Sequence, residues 1–336
     1  MKVLITAPFS ESGLKLLEDA GLDVQHESWL ETGKLYLGDK LLTVIKDGGY
    51  DIVIVEGDEV KEEVIEGSDL KIIASARDNA NNISISAATA KRIPVIGAPG
   101  RNTIAVAELA ITLMLSQARR IVTADRLLKN DFMVDDYSDF ARMYMTTKGF
   151  ELYGKTVGII GLGKIGLEVA KRLQAFGVKI IVFDPYVSQE RLNEVNAKQV
   201  SLEELLRKSD IVTIHCPPTD ETKGMLGAEQ FRMMKKSAIL INTARASITD
   251  EYALRQALES GTIAGAGLDV FSMEPVDCDN EFLELQSVIV TPHIGGNTVD
   301  TVERQSLLIA RDIRAILDGG RPENVLNPEV LMKEEA

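Results

Sequence analysis

The chain has 336 residues, and at roughly 150 residues per domain this length predicts two domains. Its composition, 45% hydrophobic and 26% charged, is that of an ordinary globular protein and excludes disordered and collagen-like chains. The 37 basic and 51 acidic residues give a net charge of −14, which disfavours nucleic acid as a partner because phosphate backbones are repelled. No membrane span is predicted, because the most apolar stretch, Thr103–Ala118, is interrupted by Glu108.

The first residues and the two cysteines indicate in which cellular compartment the protein is expected. The start carries one charge and an apolar run too short for a secretory signal, so we expect a first strand there. Only Cys216 and Cys278 occur, and their spacing fits neither a zinc site nor a disulfide framework. We therefore predict no bound metal, a reducing compartment and a cytoplasmic location.

Short β-branched runs alternate with helical patterns along the first hundred residues, and a second such series runs from Thr156 to Val290. This alternation predicts βαβ units and parallel sheets. Between the two series, Thr103 to about Lys129 forms the longest helical pattern, which we interpret as a hinge element. The acidic and aromatic segment from Asn130 to Gly149 has no clear periodicity and is predicted to be an ordered arm or loop.

A glycine-rich turn follows the first strand of the second series. Gly161, Gly163 and Gly166 fit the pattern G-x-G-x-x-G and lead into a helical pattern. The first glycine permits a tight turn, the second lets backbone N–H groups approach a pyrophosphate, and the third lets helix and strand pack closely. The helix N-terminus, where Lys164 and Ile165 lie, adds about half a positive charge. The turn predicts a dinucleotide site, although three glycines also occur in ordinary βα corners.

Asp184 ends the next predicted strand, 23 residues after Gly161 and 18 after Gly166. This is the position of a carboxylate that binds the adenosine ribose, and a turn residue before Pro185 is the alternative. At an effective dielectric near 20, two unit charges 4 Å apart repel by about 4 kcal/mol, so a 2′-phosphate would be disfavoured. We therefore predict NAD rather than NADP.

Three histidines could transfer a proton. His26 is predicted to lie at the surface, and His215 is predicted to be a structural residue at a strand end. His293 follows the apolar run 288–290 and precedes Gly295 and Gly296, which let a ligand approach the backbone. Of the three, His293 is placed like a catalytic acid or base.

Two charged residues follow other strand ends. Arg245 comes just after an apolar strand, where a guanidinium can hold a substrate carboxylate through paired hydrogen bonds and polarise a carbonyl. Glu274 lies 19 residues before His293, and a carboxylate paired with that imidazole would stabilise its protonated form and fix its tautomer. Each residue alone would be an ordinary surface charge, but ligands bind at the carboxyl ends of parallel strands.

Together these motifs resemble the D-isomer-specific 2-hydroxyacid dehydrogenase family. The resemblance spans almost the whole chain and is carried, in order, by Ala98–Thr103 with Val106-Ala107-Glu108, the Gly161–Gly166 turn with Asp184, Asn242-Thr243-Ala244-Arg245, Asp269-Val270-Phe271 with Glu274-Pro275, and Thr291-Pro292-His293-Ile294-Gly295-Gly296. It implies an α/β protein with two parallel sheets: a flavodoxin-like substrate domain of residues 1–101 and 297–336, and a Rossmann NAD-binding domain of residues 102–296. It also implies a homodimer formed through the NAD-binding domains.

The resemblance also implies roles for individual residues. Arg245, Glu274 and His293 would be the catalytic residues. The NAD cofactor would be lined by Cys216, Pro217, Thr222, Thr243 and Asp269, with Asp269 near the nicotinamide.

One loop departs from the family pattern. Much of the family has a glycine-rich loop after the fourth strand of the first domain, whereas this chain has the polar run 75–82. We place Arg77 and Asp78 at the substrate, and an ion pair between them in a solvated loop is the alternative. Ala246-Ser247 also stands where many members have glycine after the arginine.

The predicted function is that of an oxidoreductase. By resemblance, the chain would be an NAD-dependent dehydrogenase that transfers a hydride between NAD and C2 of a small D-2-hydroxy or 2-oxo acid. The substrate would be of the phosphoglycerate, glycerate or sugar-acid type, in a protein like phosphoglycerate dehydrogenase without its C-terminal regulatory domain. The alternative is an NAD-sensing, corepressor-like binding protein on the same scaffold.

Overall fold

A computed structural model describes residues 1–129 and 133–332, and the chain divides into two compact units. Unit 1 comprises Met1–Arg101 and Asn297–Ala336, and unit 2 comprises Asn102–Gly296. Each unit contains one sheet, of five strands in unit 1 and seven in unit 2, and every strand pair is parallel. The predicted α/β class with two parallel sheets is confirmed. The last residues of the predicted substrate domain, 333–336, lie outside the described residues.

The sheet of unit 1 has the strand order β2-β1-β3-β4-β5, which is the flavodoxin-like order. Every residue of β3 and β4 is buried, as expected for strands covered on both faces of a parallel sheet. The strands are β1 Lys2–Ile5, β2 Asp23–His26, β3 Ile52–Val55, β4 Ile72–Ser75 and β5 Val95–Ile96, and the helices of this segment are α1 Glu11–Asp19, α2 Trp29–Thr32, α3 Asp39–Gly48, α4 Glu62–Gly67 and α5 Ile85–Ala90.

The sheet of unit 2 has the order β12-β11-β10-β9-β6-β7-β8, so the direction of strand addition reverses between β6 and β9. Such a reversal opens the crevice in which α/β sheets bind ligands. The helices are α6 Thr103–Ala118, α7 Ile121–Lys129, α8 Tyr137–Thr146, α9 Lys164–Gln174, α10 Gln189–Glu194, α11 Leu202–Lys208, α12 Ala228–Met233 and α13 Glu251–Glu259, and the strands are β6 Thr156–Ile160, β7 Lys179–Phe183, β8 Lys198–Gln199, β9 Ile211–Ile214, β10 Ile239–Asn242, β11 Gly265–Leu268 and β12 Val288–Val290.

The C-terminal part of the chain returns to unit 1 as α14, Val299–Leu317. Thr298 caps this helix, because its side chain accepts a hydrogen bond from the backbone N of Thr301. Helix α14 packs so closely on α1 that a Cβ at Gly13 would lie 2.6 Å from the Cβ of Ser306. The buried face of α14 thereby joins one of the two apolar clusters described for unit 1.

The long helical pattern between the two series is not one helix. It ends at Ala118 and resumes at Ile121, and Arg120 in the break has a φ of +50°. A non-glycine residue rarely adopts this conformation. Hydrophobic periodicity does not report the backbone conformation of a single residue, so it could not reveal the break. Half of the residues of α6 are buried, and Ala107, Ala110 and Met114 belong to the same apolar cluster as strand β6.

The predicted arm or loop at 130–149 is wrong over part of its length, because α8 is a regular helix. Residues 130–132 of this segment lie outside the described residues. Asp136 caps α8, its Oδ1 accepting from the backbone N of Ser138 at 2.8 Å and of Asp139 at 3.0 Å. The side chains of Tyr137 and Tyr144 are 93% and 68% exposed, so the helix has no buried face whose periodicity could have revealed it.

Over residues 1–129 and 133–332, no helix has both the length and the hydropathy needed to cross a membrane.

Candidate active site

The predicted site residues of unit 2 follow six neighbouring strands of one sheet. His293 follows β12, Glu274 follows β11, Arg245 follows β10, Cys216 follows β9, Gly161 follows β6 and Asp184 follows β7. Because all these strands are parallel, their carboxyl ends lie on the same edge of the sheet. The topology therefore places the glycine turn and the three predicted catalytic residues along one edge.

The glycine turn is built so that no side chain fits at two of its positions. Gly161 has a φ of +88°, and a Cβ there would lie 2.7 Å from the backbone N of Cys216. A Cβ at Gly166 would lie 2.1 Å from the carbonyl oxygen of Gly161. At Gly163, by contrast, a Cβ would meet no described atom within 4 Å, so open space lies beside the N-terminus of α9.

No side chain caps α9, whose N-cap residue is Gly163. The first backbone N–H groups of a helix have no partner within the helix, and here these include those of Lys164 and Ile165. Donors of this kind, beside open space and at the positive end of the helix dipole, fit the pyrophosphate of a dinucleotide.

Asp184 is oriented by the turn itself. Its Oδ2 accepts from the backbone N of Leu162 at 2.8 Å and its Oδ1 from that of Tyr186 at 2.9 Å. Each oxygen keeps a lone pair that can accept from a ribose hydroxyl. Arg191, which the sequence motifs did not reveal, donates from Nη1 to the carbonyl oxygen of Leu162 at 3.1 Å and so brings one positive charge to the same turn.

His215 and Cys216 lie under the glycine turn. Burial lowers the pKa of His215 to about 3, and its Nε2 lies 2.8 Å from Thr213 Oγ1. Its ring is therefore neutral at ordinary pH and unsuited to proton donation. Burial raises the pKa of Cys216 to about 11, so this residue is a neutral thiol.

Of the remaining residues expected along the cofactor, Pro217 and Thr222 belong to one short loop, and Thr243 has a buried hydroxyl group. Thr222 closes the loop, because its Oγ1 donates to the carbonyl oxygen of Pro217 and accepts from the backbone N of Thr219, both at 2.7 Å. Thr243 is 7% exposed, and its hydroxyl has no hydrogen-bond partner among the described residues. Since a buried hydroxyl without a partner is unfavourable, Thr243 is suited to bind a ligand group.

His293 and Glu274 form a hydrogen-bonded pair. The distance between His293 Nδ1 and Glu274 Oε2 is 2.6 Å, and the other oxygen of Glu274 accepts from the backbone N of Phe271 at 3.0 Å. The two side chains are 45% and 35% exposed, so the pair remains accessible to a ligand. With Nδ1 donating to the carboxylate, Nε2 is the ring nitrogen left to exchange a proton with a ligand.

Asp269 holds the loop that carries His293. This carboxylate is 1% exposed, and it accepts from the Thr291 hydroxyl at 2.6 Å and from the backbone N of Ile294 and of Gly295, both at 2.8 Å. A Cβ at Gly295 would lie 2.9 Å from Asp269 Oδ2, so glycine permits this close approach. The family resemblance implied that Asp269 lines the cofactor but did not reveal these bonds to the histidine loop.

Arg245 is exposed, and its backbone is held by Asn242. The buried Asn242 side chain donates from Nδ2 to the carbonyl oxygen of Arg245 and accepts at Oδ1 from the backbone N of Ala244, both at 3.0 Å. Within residues 1–129 and 133–332, no carboxylate forms an ion pair with Arg245, whose Nη1 donates only to the carbonyl oxygen of Ala244, at 2.6 Å. Its guanidinium therefore has donors left for a bound carboxylate.

Arg77 and Asp78 belong to unit 1 and follow strand β4. Arg77 donates from Nε to the carbonyl oxygen of Glu56 at 2.6 Å and from Nη1 to Asn81 Oδ1 at 2.9 Å. Asp78 Oδ1 accepts from the backbone N of Gly100 at 2.6 Å. In the part of the chain that the structure describes, Arg77 and Asp78 do not form the ion pair that was the alternative interpretation.

Most of unit 2 matches a known protein family. Residues 111–295 match the sequence profile of the D-isomer specific 2-hydroxyacid dehydrogenase, NAD binding domain. The chain belongs to this family. The matched profile is that of the NAD-binding domain, so the prediction of an NAD cofactor is confirmed.

Curated relatives are similar along nearly the whole chain. A D-3-phosphoglycerate dehydrogenase of Archaeoglobus fulgidus is 40% identical over 97% of this chain, which spans 59% of the length of that relative. A glyoxylate reductase of Thermococcus litoralis is 38% identical over 98% of both chains. Among solved structures, a protein from Thermus thermophilus has a TM-score of 0.85 at 32% identity, with 97% of this chain and 100% of that chain covered.

The glycine turn allows a matched pair of variants. Gly166→Ala should lower the free energy of unfolding by about 1–3 kcal/mol, because the new methyl group collides with backbone. Gly163→Ala should leave stability nearly unchanged but weaken NADH binding, because its methyl group projects into open space beside the helix N-terminus. Urea unfolding and NADH fluorescence titration measure the two effects. Normal NADH affinity in a folded Gly163→Ala protein would contradict a pyrophosphate at this position.

His215 predicts a pH dependence of stability. Its pKa of about 3 in the folded protein lies below the usual 6.5, so its contribution to stability is fully present above pH 6.5 and is lost as the pH falls. The loss is about 1.4 kcal/mol per pH unit below pH 6.5. His215→Gln should lack this component, which the difference between urea unfolding curves at pH 7.5 and 5.5 measures. Equal pH dependence in both proteins would contradict a neutral, buried imidazole.

Proposed function

We propose that this protein is an NAD-dependent dehydrogenase of small D-2-hydroxy acids, catalysing reversible hydride transfer between NAD and C2 of the acid. The observation that carries the proposal is the His293–Glu274 pair, 2.6 Å between Nδ1 and Oε2, on the sheet edge that also bears the glycine turn. An acid or base oriented by a carboxylate beside a dinucleotide site is what this chemistry requires.

The cofactor would be held along the sheet edge. The glycine turn and the N-terminus of α9 would bind the pyrophosphate, Asp184 would bind the adenosine ribose, and the further residues along the cofactor would be Cys216, Pro217, Thr222, Thr243 and Asp269. When bound, the cofactor would supply a hydride as NADH in reduction of the 2-oxo acid and would accept one as NAD in oxidation of the hydroxy acid.

The protein's own residues would transfer the proton and bind the carboxylate of the acid. In reduction, protonated His293 donates from Nε2 to the carbonyl oxygen at C2, and Glu274 stabilises the imidazolium until it does so. In oxidation, neutral His293 accepts the hydroxyl proton. Arg245 pairs with the substrate carboxylate through two N–H groups, which fixes C2 in place and polarises its oxygen.

Unit 1 is proposed as the substrate domain and unit 2 as the NAD-binding domain. Arg77 would bind polar groups of the acid beyond C2, and the Oδ2 atom of Asp78 is available to accept from a hydroxyl group. We propose a substrate of the phosphoglycerate, glycerate or sugar-acid type. A relative named D-3-phosphoglycerate dehydrogenase supports the phosphoglycerate type, and one named glyoxylate reductase supports a small 2-oxo acid.

A panel of 2-oxo acids scored by NADH consumption tests this function. It includes glyoxylate, hydroxypyruvate, phosphohydroxypyruvate, pyruvate and longer sugar acids. We expect turnover with at least one acid that carries oxygen substituents at C3 or beyond. NADH binding without turnover of any acid would overturn the proposed dehydrogenase activity. It would favour an NAD-binding protein without catalytic activity on the same scaffold.

Replacement of the catalytic pair separates proton transfer from cofactor binding. His293→Ala should reduce turnover by about 10²–10⁴-fold while NADH affinity stays nearly normal, because the phosphates and ribose are held elsewhere. Glu274→Gln should be milder and should move the pH profile of reduction to lower pH, since a neutral partner no longer stabilises imidazolium. His26→Ala, in unit 1, is the control. Near-normal turnover in His293→Ala, or an upward shift in Glu274→Gln, would refute the assignment.

Asp184 should determine the choice of cofactor. We expect the unmodified protein to prefer NAD, and Asp184→Ser to lower the ratio of kcat/KM for NAD over NADP by about tenfold or more, which corresponds to about 1.4 kcal/mol. The reason is that the serine removes a repulsive charge while Arg191 stays at the turn. Glu221→Gln, on the neighbouring loop, should keep the ratio. Equal efficiency with both cofactors in the unmodified protein would contradict this role.

We further propose a homodimer in the cytoplasm. Both cysteines are free, which fits a reducing compartment. Large apolar side chains exposed on α7 and α8 support a subunit contact, among them Ile121, Leu128, Tyr137, Tyr144 and Met145. Light scattering should give twice the chain mass, and Tyr137→Asp with Tyr144→Asp should give monomers. A monomeric unmodified protein would contradict the proposal.

A further inference from the structure

Residues 270–276, which follow strand β11 and carry Glu274, form a segment that the backbone does not hold. Across residues 1–129 and 133–332, no backbone group of this segment is hydrogen-bonded to another backbone group. Phe271 is buried and Val276 packs on the same apolar cluster of unit 2, whereas residues 272–275 between them are exposed. Side chains must therefore fix the exposed part of the segment, because loops without a backbone ladder depend on other partners.

Glu251 supplies such bonds. Its Oε1 accepts from the backbone N of Ser272 at 2.9 Å, and its Oε2 accepts from the Ser272 hydroxyl. Apart from the bond between Glu274 and His293, these are the only hydrogen bonds that join residues 270–276 to another described residue. Within the part of the chain that the structure describes, no cation forms an ion pair with Glu251, so nothing competes for its carboxylate.

Glu251 stands on a fixed element, because it is the first residue of α13. Asp250 caps this helix by accepting from the backbone N of Ala253 at 3.0 Å. Leu254 of α13 belongs to the same apolar cluster as Phe271. A carboxylate in the first turn of a helix is also stabilised by the helix dipole, so Glu251 is well placed to remain charged.

The turn that Glu251 holds is the one to which the Glu274 carboxylate is bound. Glu274 Oε1 accepts from the backbone N of Phe271 at 3.0 Å, and the next N–H group along the chain, that of Ser272, donates to Glu251. The other oxygen of Glu274 lies 2.6 Å from His293 Nδ1. Because a hydrogen bond weakens steeply when its length and angle change, a turn released from Glu251 would weaken the contact with His293.

We propose that Glu251 is a positioning residue, which holds Ser272 and thereby keeps the Glu274 carboxylate in place against His293. Glu251 itself forms no hydrogen bond with His293 among the described residues. Its effect on turnover rests on the proposed function, in which His293 is the proton donor. Its effect on the contact between Glu274 and His293 does not.

The first test follows the titration of the histidine rings by NMR in the whole protein, where His293→Ala identifies the signal of His293. Glu251→Ala should make His293 titrate at a pH lower by about 0.5 unit or more, because a displaced carboxylate stabilises imidazolium less well. Glu251→Gln should titrate like the unmodified protein, since its amide can accept from the Ser272 backbone and donate to the hydroxyl. Tyr252→Ala, at the neighbouring exposed position of α13, is the control.

A double variant shows whether Glu251 acts through Glu274. In a Glu274→Gln protein, adding Glu251→Ala should cause little further change in the titration of His293, because the two effects share one contact. The proposal is overturned if Glu251→Ala leaves the His293 titration unmoved, or moves it equally with and without Glu274. Should Glu251→Ala fail to fold by urea unfolding, Ser272→Ala removes one of the two bonds, and an unmoved titration in that variant overturns the proposal.

Kinetics with the acid found in the panel of 2-oxo acids complete the test. Glu251→Ala should lower kcat by about tenfold and move the pH profile of reduction to lower pH. The KM for the acid and the NADH affinity should stay nearly normal, because Asn242 holds the Arg245 loop separately. A changed KM with an unmoved pH profile would contradict the positioning role. If no acid is turned over by the unmodified protein, the proposed function fails, and the NMR titration still decides the role of Glu251.

Discussion

The parallel direction of all seven strands in unit 2 is the constraint on which the candidate site depends. Parallel strands end on one edge, and the loops that leave that edge carry residues far apart in sequence, from Gly161 to His293. The chain supplies one functional group after each of six neighbouring strands, and buried polar side chains fix the loops. Asn242 and Asp269 act in this way, since each binds backbone groups of the loop that presents a charged residue. Buried polar side chains therefore fix the positions of the exposed charged residues at the site.

Electrostatic recognition in this protein is local. A chain with a net charge of −14 repels anions at long range, and salt screens that repulsion within about 10 Å. What attracts an anion is a short-range arrangement of donors, as at the uncapped start of α9 and at the exposed guanidinium of Arg245. Each places N–H groups where no carboxylate of the described residues competes for them. The overall acidity then favours solubility without preventing the binding of negatively charged ligands.

Much of the fold and of the site could be predicted from the sequence, because the relevant patterns are local. The spacing of Gly161, Gly163 and Gly166, and the distance to Asp184, report a strand, a turn and a helix within a short stretch. Charged residues directly after apolar runs pointed to one edge of a sheet. The pair of His293 and Glu274 could be proposed on this basis, although the hydrogen bond between them required the structure.

What could not be predicted depends on contacts between distant residues or on helices without a buried face. Helix α8 exposes its aromatic side chains, so hydrophobic periodicity carried no signal, and its cap at Asp136 was the sole local sign. The break at Arg120 is a backbone conformation that residue type does not announce. The bonds from Asp269 to the histidine loop join residues more than twenty positions apart, and Arg191 reaches the glycine turn from a different helix.

The division of unit 1 into two segments has a consequence for biosynthesis. Its core joins β1 residues such as Val3 and Ile5 to Ile309 and Ile313 of α14, so the ribosome must make the whole of unit 2 before unit 1 has all its parts. At about 5–20 residues per second, the first segment waits on the order of ten to forty seconds for α14. During that interval the face of its sheet that α14 will cover is open to water and to other nascent chains. Unit 2, being continuous, can fold first, and chaperone dependence in the cell should concentrate on the N-terminal segment.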